Sequence, residues 1–499
     1  MGSIYRSRVK GNYSDETSRF VSSLIEDSRI LEDDLNCTEA HDIMLHEQGL
    51  LSRDELTKIL KSLEKLRREW GEGKLKLEGE YEDVHELIEA CVILDVGPEV
   101  GGKLHSGRSR NDQVATDIRM RLRSDILTIS QAILRLVRIC LSRAEEEKAT
   151  PMLLYTHTQQ AQVGTFGHYL LSFTDILLRD YQRLQDCYDR VNVSPLGAGP
   201  VGGTNIPIDR NRTALLLGFD SLVKNSLDAS SSRDFMIEAV ASLAILMTNI
   251  SRIANDIILW TSSEFGLVEL ADEFASVSSI MPHKKNPTTL EIIRGKTSRV
   301  EGDLIALLGI SKGLPSGYSS DLQEMKPPLW NCLDTTLASL RILTGILGSL
   351  IICEDRMEKM VHESYVFALG LAEHLTLDCP LPFRQAHALA GALVREMVNR
   401  SIEPNSLTPK IVEALAKKVL GRQIKIPSSV IEDITDPRRC LANLRSLGSP
   451  NPKHVEQLLQ ESRNIVLTAE EVLATRLERL ETSRAKLSEL VNQYTEFTE

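Results

Sequence analysis

Residues 232–260 carry apolar side chains at alternating spacings of four and three, and this repeat limits the possible folds of the chain more than any other segment. Such spacing gives a heptad seam, in which one stripe of a helix faces another helix. A second apolar stripe recurs every seven residues on the same helix, so neighbours must cover the helix from more than one side. The two stripes predict a long helix inside a bundle. The first stripe is Met236, Val240, Leu243, Met247, Ile250, Ala254 and Ile257, and the second is Ala239, Leu246, Ile253 and Trp260.

Four further segments show similar long helical patterns: residues 114–148, 164–191, 290–310 and 329–352. The sequence therefore predicts about five long helices in the middle of the chain. Ser230 to Ser232, followed by Asp234, are predicted to cap the helix at residues 232–260.

The rest of the chain is predicted to be helical as well. Helices after Glu354 are expected to be shorter, because prolines return there, and strand-like alternation is sparse throughout. At 499 residues the chain is too long for one compact core. We predict an all-α fold of three domains. These are an N-terminal helical domain (1–108), a central long-helix bundle domain (109–355) and a small C-terminal helical domain (356–499).

Charge and cysteine content limit the partners. The formal net charge of −12 argues against nonspecific attraction to nucleic acid or an anionic membrane, so an anionic substrate must bind a local group of cations. The eight cysteines lack metal-site spacing, which is typical of free thiols in a reducing compartment. Neither a secretory signal at residues 1–10 nor a run of about 18 apolar residues is found. These features predict a cytoplasmic protein that acts on a small molecule.

Four polar clusters interrupt the helical patterns and supply cations, amides, hydroxyl groups and a histidine. None has the spacing of a metal site, so we predict no metal and no cofactor. The most informative cluster is SSIMPHKKNP at residues 278–287, which is typical of a mobile catalytic loop, although the same residues are also ordinary for a solvated turn. The other three are SGRSRNDQ (106–113), THTQQ (156–160) and YSSDLQEMK (318–326).

Single residues of these clusters have simpler interpretations. A lone histidine such as His157 is more often structural than catalytic, and Arg110 and Lys326 could be solvated surface charges. An arginine beside Asn111 is, however, well suited to bind a carboxylate with two hydrogen bonds. The presence of all four clusters in one chain favours a functional site.

Together the motifs resemble the fumarase/aspartase superfamily and, within it, the argininosuccinate lyase family. Residues 278–287 are similar to the superfamily signature GSSxMPxKxNP, with Val277 in place of the leading glycine. Because valine does not easily adopt positive φ, the loop is expected to hinge elsewhere. Residues 156–163 resemble THxQxAQP, with Val163 in place of the proline, and SGRSRNDQ resembles the argininosuccinate lyase form of the first motif. Further matches at residues 82–85, 195–199 and 232–235 extend the resemblance over most of the chain.

The resemblance implies reversible β-elimination of argininosuccinate to L-arginine and fumarate, a step of arginine biosynthesis. Proton loss beside a carboxylate places two negative charges on one carboxyl group, so a fixed cation and preorganised donors are expected to dominate catalysis. By resemblance, Lys284 with Asn286 supplies these groups. Ser278 is then the base, and His157, oriented by Glu291, handles the proton at the leaving nitrogen. An exchange of the two roles between Ser278 and His157 stays open.

The resemblance also implies substrate contacts and an oligomer. Asp27 is expected to receive the cationic amino end of the substrate, and Thr156 the succinyl half. In this family three subunits of a homotetramer meet at each active site, and the central helices form one bundle, so a monomer should be inactive. The substrate-binding residues implied in this way are Ser23, Asp27, Arg110, Asn111, Thr156, Asn286, Tyr318, Gln323 and Lys326.

Two other functions stay open. The first is another superfamily lyase, such as adenylosuccinate lyase, which shares the scaffold. Those enzymes resemble a serine-rich pattern in this region, whereas this sequence has Arg108 and Arg110. The second is a catalytically silent helical bundle, because the same scaffold serves as a lens structural protein in some animals. The presence of His157, Ser278 and Lys284 favours an enzyme over this second alternative.

Overall fold

The computed structural model describes Arg8, residues 13–78 and residues 81–496. Within these ranges the chain forms twenty α-helices, three short 3₁₀ helices and eight strands, six of which have only two residues. The α-helices, α1 to α20 in chain order, are Asp15–Val21, Leu24–Asp27, Leu31–Glu47, Arg53–Gly71, Val84–Val96, Pro98–Gly101, Arg110–Glu146, Phe166–Val191, Arg210–Leu216, Ser226–Ser231, Asp234–Trp260, Thr288–Ser311, Lys326–Ser349, Glu354–His362, Phe367–Asp378, Phe383–Asn399, Pro409–Leu420, Ser428–Thr435, Pro437–Ala442 and Pro452–Thr495. The strands, β1 to β8, are Pro151–Thr156, Gln159–Thr165, Val193–Ser194, Ser221–Leu222, Val268–Glu269, Ser276–Val277, Lys285–Asn286 and Ile351–Ile352. The 3₁₀ helices are Asp272–Phe274, Ser320–Met325 and Pro404–Ser406.

The five predicted long helices are confirmed as α7, α8, α11, α12 and α13, and they pack into a central bundle. Helix α7 packs against α8 and α13, while α11 packs against α8, α12 and α13. Every residue of the two predicted stripes on α11 is buried, with at most 6% of any of them exposed. In the described part of the chain, α11 is the one helix long and apolar enough to cross a membrane, and core helices of soluble proteins meet the same criterion. Helix α11 is apolar because α8, α12 and α13 pack around it and bury its side chains.

The predicted serine cap of α11 is wrong. The N-cap residue is Arg233, because the short helix α10 (Ser226–Ser231) occupies the serines before it. Ser232 Oγ donates to Asp234 Oδ1 at 2.6 Å, and the same oxygen accepts a hydrogen bond from the main-chain N–H of Phe235 at 2.8 Å. Asp234 therefore supplies the first-turn negative charge, as predicted, together with a hydrogen bond to the helix start.

The prediction of only short helices after Glu354 is also wrong, because α20 runs for 44 residues. It packs against α4, α7 and α8, so this late segment covers helices from the first half of the chain. Its buried residues form one narrow stripe between charged and polar residues, which gives a weak signal in the sequence. They are Val455, Leu459, Ser462, Val466, Ala469, Leu473, Leu480, Leu487 and Val491.

Two hydrophobic cores contain most of the buried apolar residues. The larger extends in sequence from Leu24 to Val491 and includes side chains from all three predicted domains. The smaller spans residues 367–434 and is formed by α15 to α18. The domain boundaries at residues 108 and 355 stay a prediction, and helix α20 belongs by packing to the larger core.

Candidate active site

Strands β1 and β2 form an antiparallel hairpin that carries His157 at its tip, and this hairpin is the main exception to the predicted all-α fold. Thr156 pairs with Gln159, and the two residues between them, His157 and Thr158, have φ of 53° and 58°. Two consecutive left-handed residues make a tight turn whose twist suits a hairpin. Thr156, His157 and Thr158 are all exposed. The turn therefore presents the predicted catalytic histidine away from the core of its own chain.

The other end of the hairpin is anchored in a small core. Leu153 and Val163 pair in the ladder and pack with Val361 and Leu441. Valine suits a buried strand position, whereas proline has no N–H group for the ladder. The departure from the family motif at Val163 is therefore compatible with the hairpin.

The predicted catalytic loop, residues 278–287, rests on a short antiparallel ladder. Ser276–Val277 pairs with Lys285–Asn286, and α12 follows directly. Val277 lies in this extended ladder, so the position at which the family motif has glycine needs no positive φ. Val277 is 81% exposed and Ile280 is 86% exposed, so the loop projects from this chain.

Ser278 is hydrogen bonded within its own loop. Its Oγ accepts hydrogen bonds from the main-chain N–H groups of Ile280 (3.3 Å) and Met281 (3.0 Å). Hydrogen bonds of this kind favour the charged form of an oxygen. The arrangement therefore suits a hydroxyl group that loses its proton.

The adjacent lysines of the loop differ in their contacts. Lys285 Nζ forms ion pairs with Glu269 at 2.9 Å and with Asp272 at 2.8 Å. Lys284 is exposed, and within the described residues no ion pair engages it. Lys284 is therefore the lysine of this loop whose charge is available to a ligand.

Ser23, Asp27 and Lys326 form a buried group, which we call the Lys326 cluster. Lys326 Nζ forms an ion pair with Asp27 Oδ1 and donates to Ser23 Oγ at 3.0 Å, and Ser23 Oγ donates to Asp27 Oδ2 at 2.7 Å. All three residues are at most 3% exposed. Nearby, Gln323 Nε2 donates to the main-chain carbonyl of Val21 at 2.9 Å. These contacts join the segment around α2 to the start of α13.

Glu82, Asp83 and Arg110 form a second group, the Arg110 cluster. Arg110 Nε donates to Asp83 Oδ2 at 2.9 Å, Nη2 donates to the same oxygen, and Nη1 donates to Glu82 Oε2 at 3.0 Å. Burial raises the pKa of Asp83, but the charges of His85 and Arg110 lower it by more, so the carboxyl group stays ionised. The orientation of the guanidinium group is therefore set by two carboxylates.

Tyr318 lies close enough to both clusters to interact with their charges. Burial is the main cause that raises the pKa of Tyr318, and Asp83 and Asp27 add to the increase, whereas Arg233 and Arg110 oppose it. The phenol group therefore keeps its proton and can donate a hydrogen bond to a carboxylate.

One chain brings together most of the predicted substrate-binding residues but not the catalytic ones. Asn111 follows Arg110 in the first turn of α7, and its Nδ2 donates to the carbonyl of Pro200 at 3.0 Å. Within the described residues, no hydrogen bond or ion pair connects the side chains of His157, Ser278 and Glu291 with one another or with the two clusters. The residues that do meet are Ser23, Asp27, Arg110, Tyr318, Gln323 and Lys326.

Three buried polar residues outside the predicted site lie side by side. One side-chain nitrogen or oxygen atom from each of Asp34, His85 and Asp117 lies within 4.8 Å of the other two. His85 belongs to the matched segment at residues 82–85. The sequence pattern that could have identified it is a histidine two residues after the acidic pair Glu82 and Asp83. Nothing in the spacing indicates Asp34 or Asp117, which lie on other helices.

A cavity of about 910 Å³ lies apart from these groups. It is lined by side chains from residues 359–365, 401–405 and 432–439 and contains none of the predicted site residues. The predicted site is therefore not this cavity.

Comparison with known proteins identifies the class of protein. Residues 8–302 match the family model described as Lyase. A crystal structure of an EDDS lyase in complex with formate has a TM-score of 0.89 and 29% identity, covering 98% of this chain and 97% of that chain. A class II fumarase from Schistosoma mansoni has a TM-score of 0.70 and 14% identity, covering 85% and 92%. The protein is thus a lyase with the long-helix bundle of the fumarase/aspartase fold.

The family follows from the C-terminal part and from curated relatives. Residues 365–442 match the family model described as Argininosuccinate lyase C-terminal. The argininosuccinate lyase of Nitrosopumilus maritimus is 46% identical over 435 residues, which cover 87% of this chain and 88% of the relative. That of Methanocaldococcus jannaschii is 38% identical over 494 residues, which cover 99% and 100%. The chain belongs to the argininosuccinate lyase family, and the resemblance stated from the motifs is confirmed.

Proposed function

We propose that the protein catalyses the reversible β-elimination of argininosuccinate to L-arginine and fumarate, as part of arginine biosynthesis in the cytoplasm. The Lys326 cluster carries this proposal, because it places a carboxylate and an ammonium group side by side in a buried position. The arginine half of argininosuccinate has a free α-ammonium and a free α-carboxylate. The Lys326 cluster can therefore exchange its internal ion pair for two pairs with the substrate: Asp27 with the α-ammonium and Lys326 with the α-carboxylate. Every buried charge then keeps a partner.

The same cluster distinguishes this substrate from that of another superfamily lyase. Adenylosuccinate carries carboxylates and a phosphate but no ammonium group. A carboxylate or phosphate of such a ligand could pair with Lys326 but would leave the buried carboxylate of Asp27 without a partner, which is costly. Asp27 therefore favours argininosuccinate.

In the proposed chemistry, Ser278 takes the carbon-bound proton, and His157 gives a proton to the leaving nitrogen. The two main-chain amides that bind Ser278 Oγ favour its negative charge. Lys284, with the side chain of Asn286, stabilises the carboxyl group that gains a second negative charge. Closure of the loop over the substrate would exclude water and strengthen these interactions.

We also propose a homotetramer with active sites shared between subunits. The support comes from α12, which follows the catalytic loop. Gly295, Gly302 and Gly309 recur every seven residues on its exposed side, with open space where a Cβ atom would lie. Ile292 and Ile305 are 53% and 67% exposed on the same helix. Glycines at heptad spacing allow close approach of another helix, so a second copy packed there would add its own residues beside this loop.

A spectrophotometric assay tests the function. The purified protein should release fumarate, detected by its absorbance, from argininosuccinate and not from adenylosuccinate. Release from adenylosuccinate alone would assign the protein to another lyase. Release from neither compound by a folded protein would indicate the silent structural homologue.

A further inference from the structure

Asp34, His85 and Asp117 form a buried junction between α3, α5 and α7 that the proposed chemistry does not use. His85 Nδ1 lies 3.1 Å from Asp34 Oδ2 and 3.6 Å from Asp117 Oδ2. Gln113 Nε2 donates to the other oxygen of Asp34 at 2.5 Å. All four residues are at most 3% exposed, so solvent does not compete for these contacts.

The junction is connected to Arg110 through α7, on which Arg110 lies, and through α5, whose N-cap residue Asp83 binds Arg110. Asp83, two residues before His85, caps the start of α5 with Oδ1 and accepts a hydrogen bond from Arg110 with Oδ2. Gln113 lies three residues after Arg110 in the first turns of α7. Asp34 thus fixes the starts of both helices, through its contacts with His85 and Gln113.

The pKa values of the two carboxyl groups beside His85 shift in opposite directions. Burial raises the pKa of Asp34, but the charges of His85 and Arg108 and the hydrogen bond from Gln113 lower this pKa below its usual value. For Asp117, burial and then the charge of Asp34 raise the pKa well above the usual value. Burial lowers the pKa of His85, whereas Asp34 and Asp83 raise it by more. The closer ion pair is therefore Asp34 with His85, at 3.1 Å against 3.6 Å for Asp117, and the pKa shift of Asp117 favours its neutral form.

We propose that His85, held by Asp34, is a positioning residue that orients Arg110 for a substrate carboxylate. The inference rests on the proposed function, in which Arg110 contacts the substrate. A guanidinium group binds a carboxylate well only when two N–H bonds point at its oxygens. Loss of His85 or Asp34 releases the start of α5, which carries the Asp83 carboxylate that holds Arg110. A displacement of about 1 Å at such a position is enough to weaken binding strongly.

The first test compares the two carboxyl groups that face the same imidazole. Asp34→Asn should raise KM for argininosuccinate roughly ten- to a hundredfold, with a smaller change in kcat, because Arg110 is misplaced. Asp117→Asn leaves the contacts of Asp34 with His85 and Gln113 in place, so KM should change by less than about threefold. Similar increases for both variants would overturn the proposal.

A double-mutant cycle tests whether His85 acts through Arg110. His85→Gln should raise KM in the otherwise unaltered protein but add little when Arg110→Ala is already present, because the residue through which it acts is gone. Additive increases in KM would overturn the proposal. A cooperative thermal unfolding transition shows which variants fold. If His85→Gln does not fold, Asp34→Asn takes its place in the cycle.

A bound metal ion is the competing explanation for three buried groups of this kind. In that case a chelator would abolish the activity of the unaltered protein, and this result would overturn the proposal. Retained activity after chelation supports it. The activity of the unaltered protein with argininosuccinate is measured first, because its absence would contradict the proposed function rather than the role of His85.

Discussion

Asp27 and Lys326 form a buried ion pair although 299 residues separate them in the chain. Ser23 hydrogen bonds to both members of the pair. The pair therefore joins α2 to α13 and at the same time holds two opposite charges for a zwitterionic ligand. Removal of either charge should affect one end of that ligand more than the other.

Asp27→Asn should weaken binding of the amino end of the substrate. The change removes the partner of a buried lysine, and loss of one member of a buried pair costs about 3–5 kcal/mol. We expect KM for argininosuccinate to rise roughly a hundredfold. In the reverse direction KM for arginine should rise as well, whereas KM for fumarate, which has no amino group, should change by less than about threefold. Equal increases for arginine and fumarate would contradict the assignment of Asp27 to the amino end.

Ser278→Ala should remove turnover and keep binding. Loss of the proposed base should lower kcat at least about a thousandfold, while calorimetric titration should still show argininosuccinate binding. Ser279→Ala is the matched control, because Ser279 is the exposed neighbour and should tolerate the change far better. Near-normal turnover of the Ser278 variant would show that another group is the base.

Two inactive variants should restore activity when they are co-expressed, if active sites are shared between subunits. His157→Asn and Ser278→Ala each remove one proposed catalytic group. In randomly mixed oligomers about a quarter of the sites would receive both unaltered residues from two different chains. The measurement is the fumarate release of the mixed protein relative to the unaltered protein. No recovery in a verified mixed oligomer would show that each site takes both groups from one chain.

Asp42→Asn should change the pH dependence of stability. Asp42 is fully buried, its carboxyl oxygens have no hydrogen-bond partner among the described residues, and burial raises its pKa from 3.8 to about 8. A raised pKa means that this carboxyl contributes stability below pH 3.8 and that the contribution is lost as pH rises towards about 8. The variant lacks this loss, so its free energy of unfolding should increase relative to the unaltered protein by up to about 1.4 kcal/mol per pH unit.

Urea unfolding at several pH values between about 5 and 8, at one protein concentration, measures this difference. If Asp42 were ionised in the folded protein throughout that range, the free energies of unfolding of the variant and the unaltered protein would change in parallel with pH. Parallel curves would therefore contradict the raised pKa.

The bundle was predictable because its signal is local. The stripes through Met236 and Ala239 require only that apolar side chains recur with helical spacing, and every member is buried. The hairpin has no comparable signal, because its turn places His157 and Thr158 in left-handed conformations that glycine and asparagine usually occupy. Helix α20 has a signal, the heptad spacing of Leu473, Leu480 and Leu487, but charged residues surround it.

The candidate site depends on contacts between distant segments, which spacing cannot show. No periodicity links Asp27 to Lys326 or Asp34 to His85, because each pair forms only when separate helices pack. The family resemblance indicated Asp27 and Lys326 as substrate contacts, and the fold places them in one cluster. It did not indicate Asp34, whose role depends on a tertiary contact. The catalytic roles of Ser278, His157, Lys284 and Glu291 stay predictions.

The packing of α20 has a consequence for biosynthesis. Its side chains complete the larger core, and the carbonyl of Tyr494 accepts a hydrogen bond from Thr57 Oγ1 at 2.8 Å across 437 residues. The ribosome makes this helix after α4, α7 and α8. The apolar surfaces of those three helices that α20 covers therefore stay uncovered until α20 has been synthesised. Nascent chains with such surfaces aggregate readily and are the usual clients of chaperones. Translation that stalls before residue 452 should therefore yield material for degradation rather than a smaller folded protein.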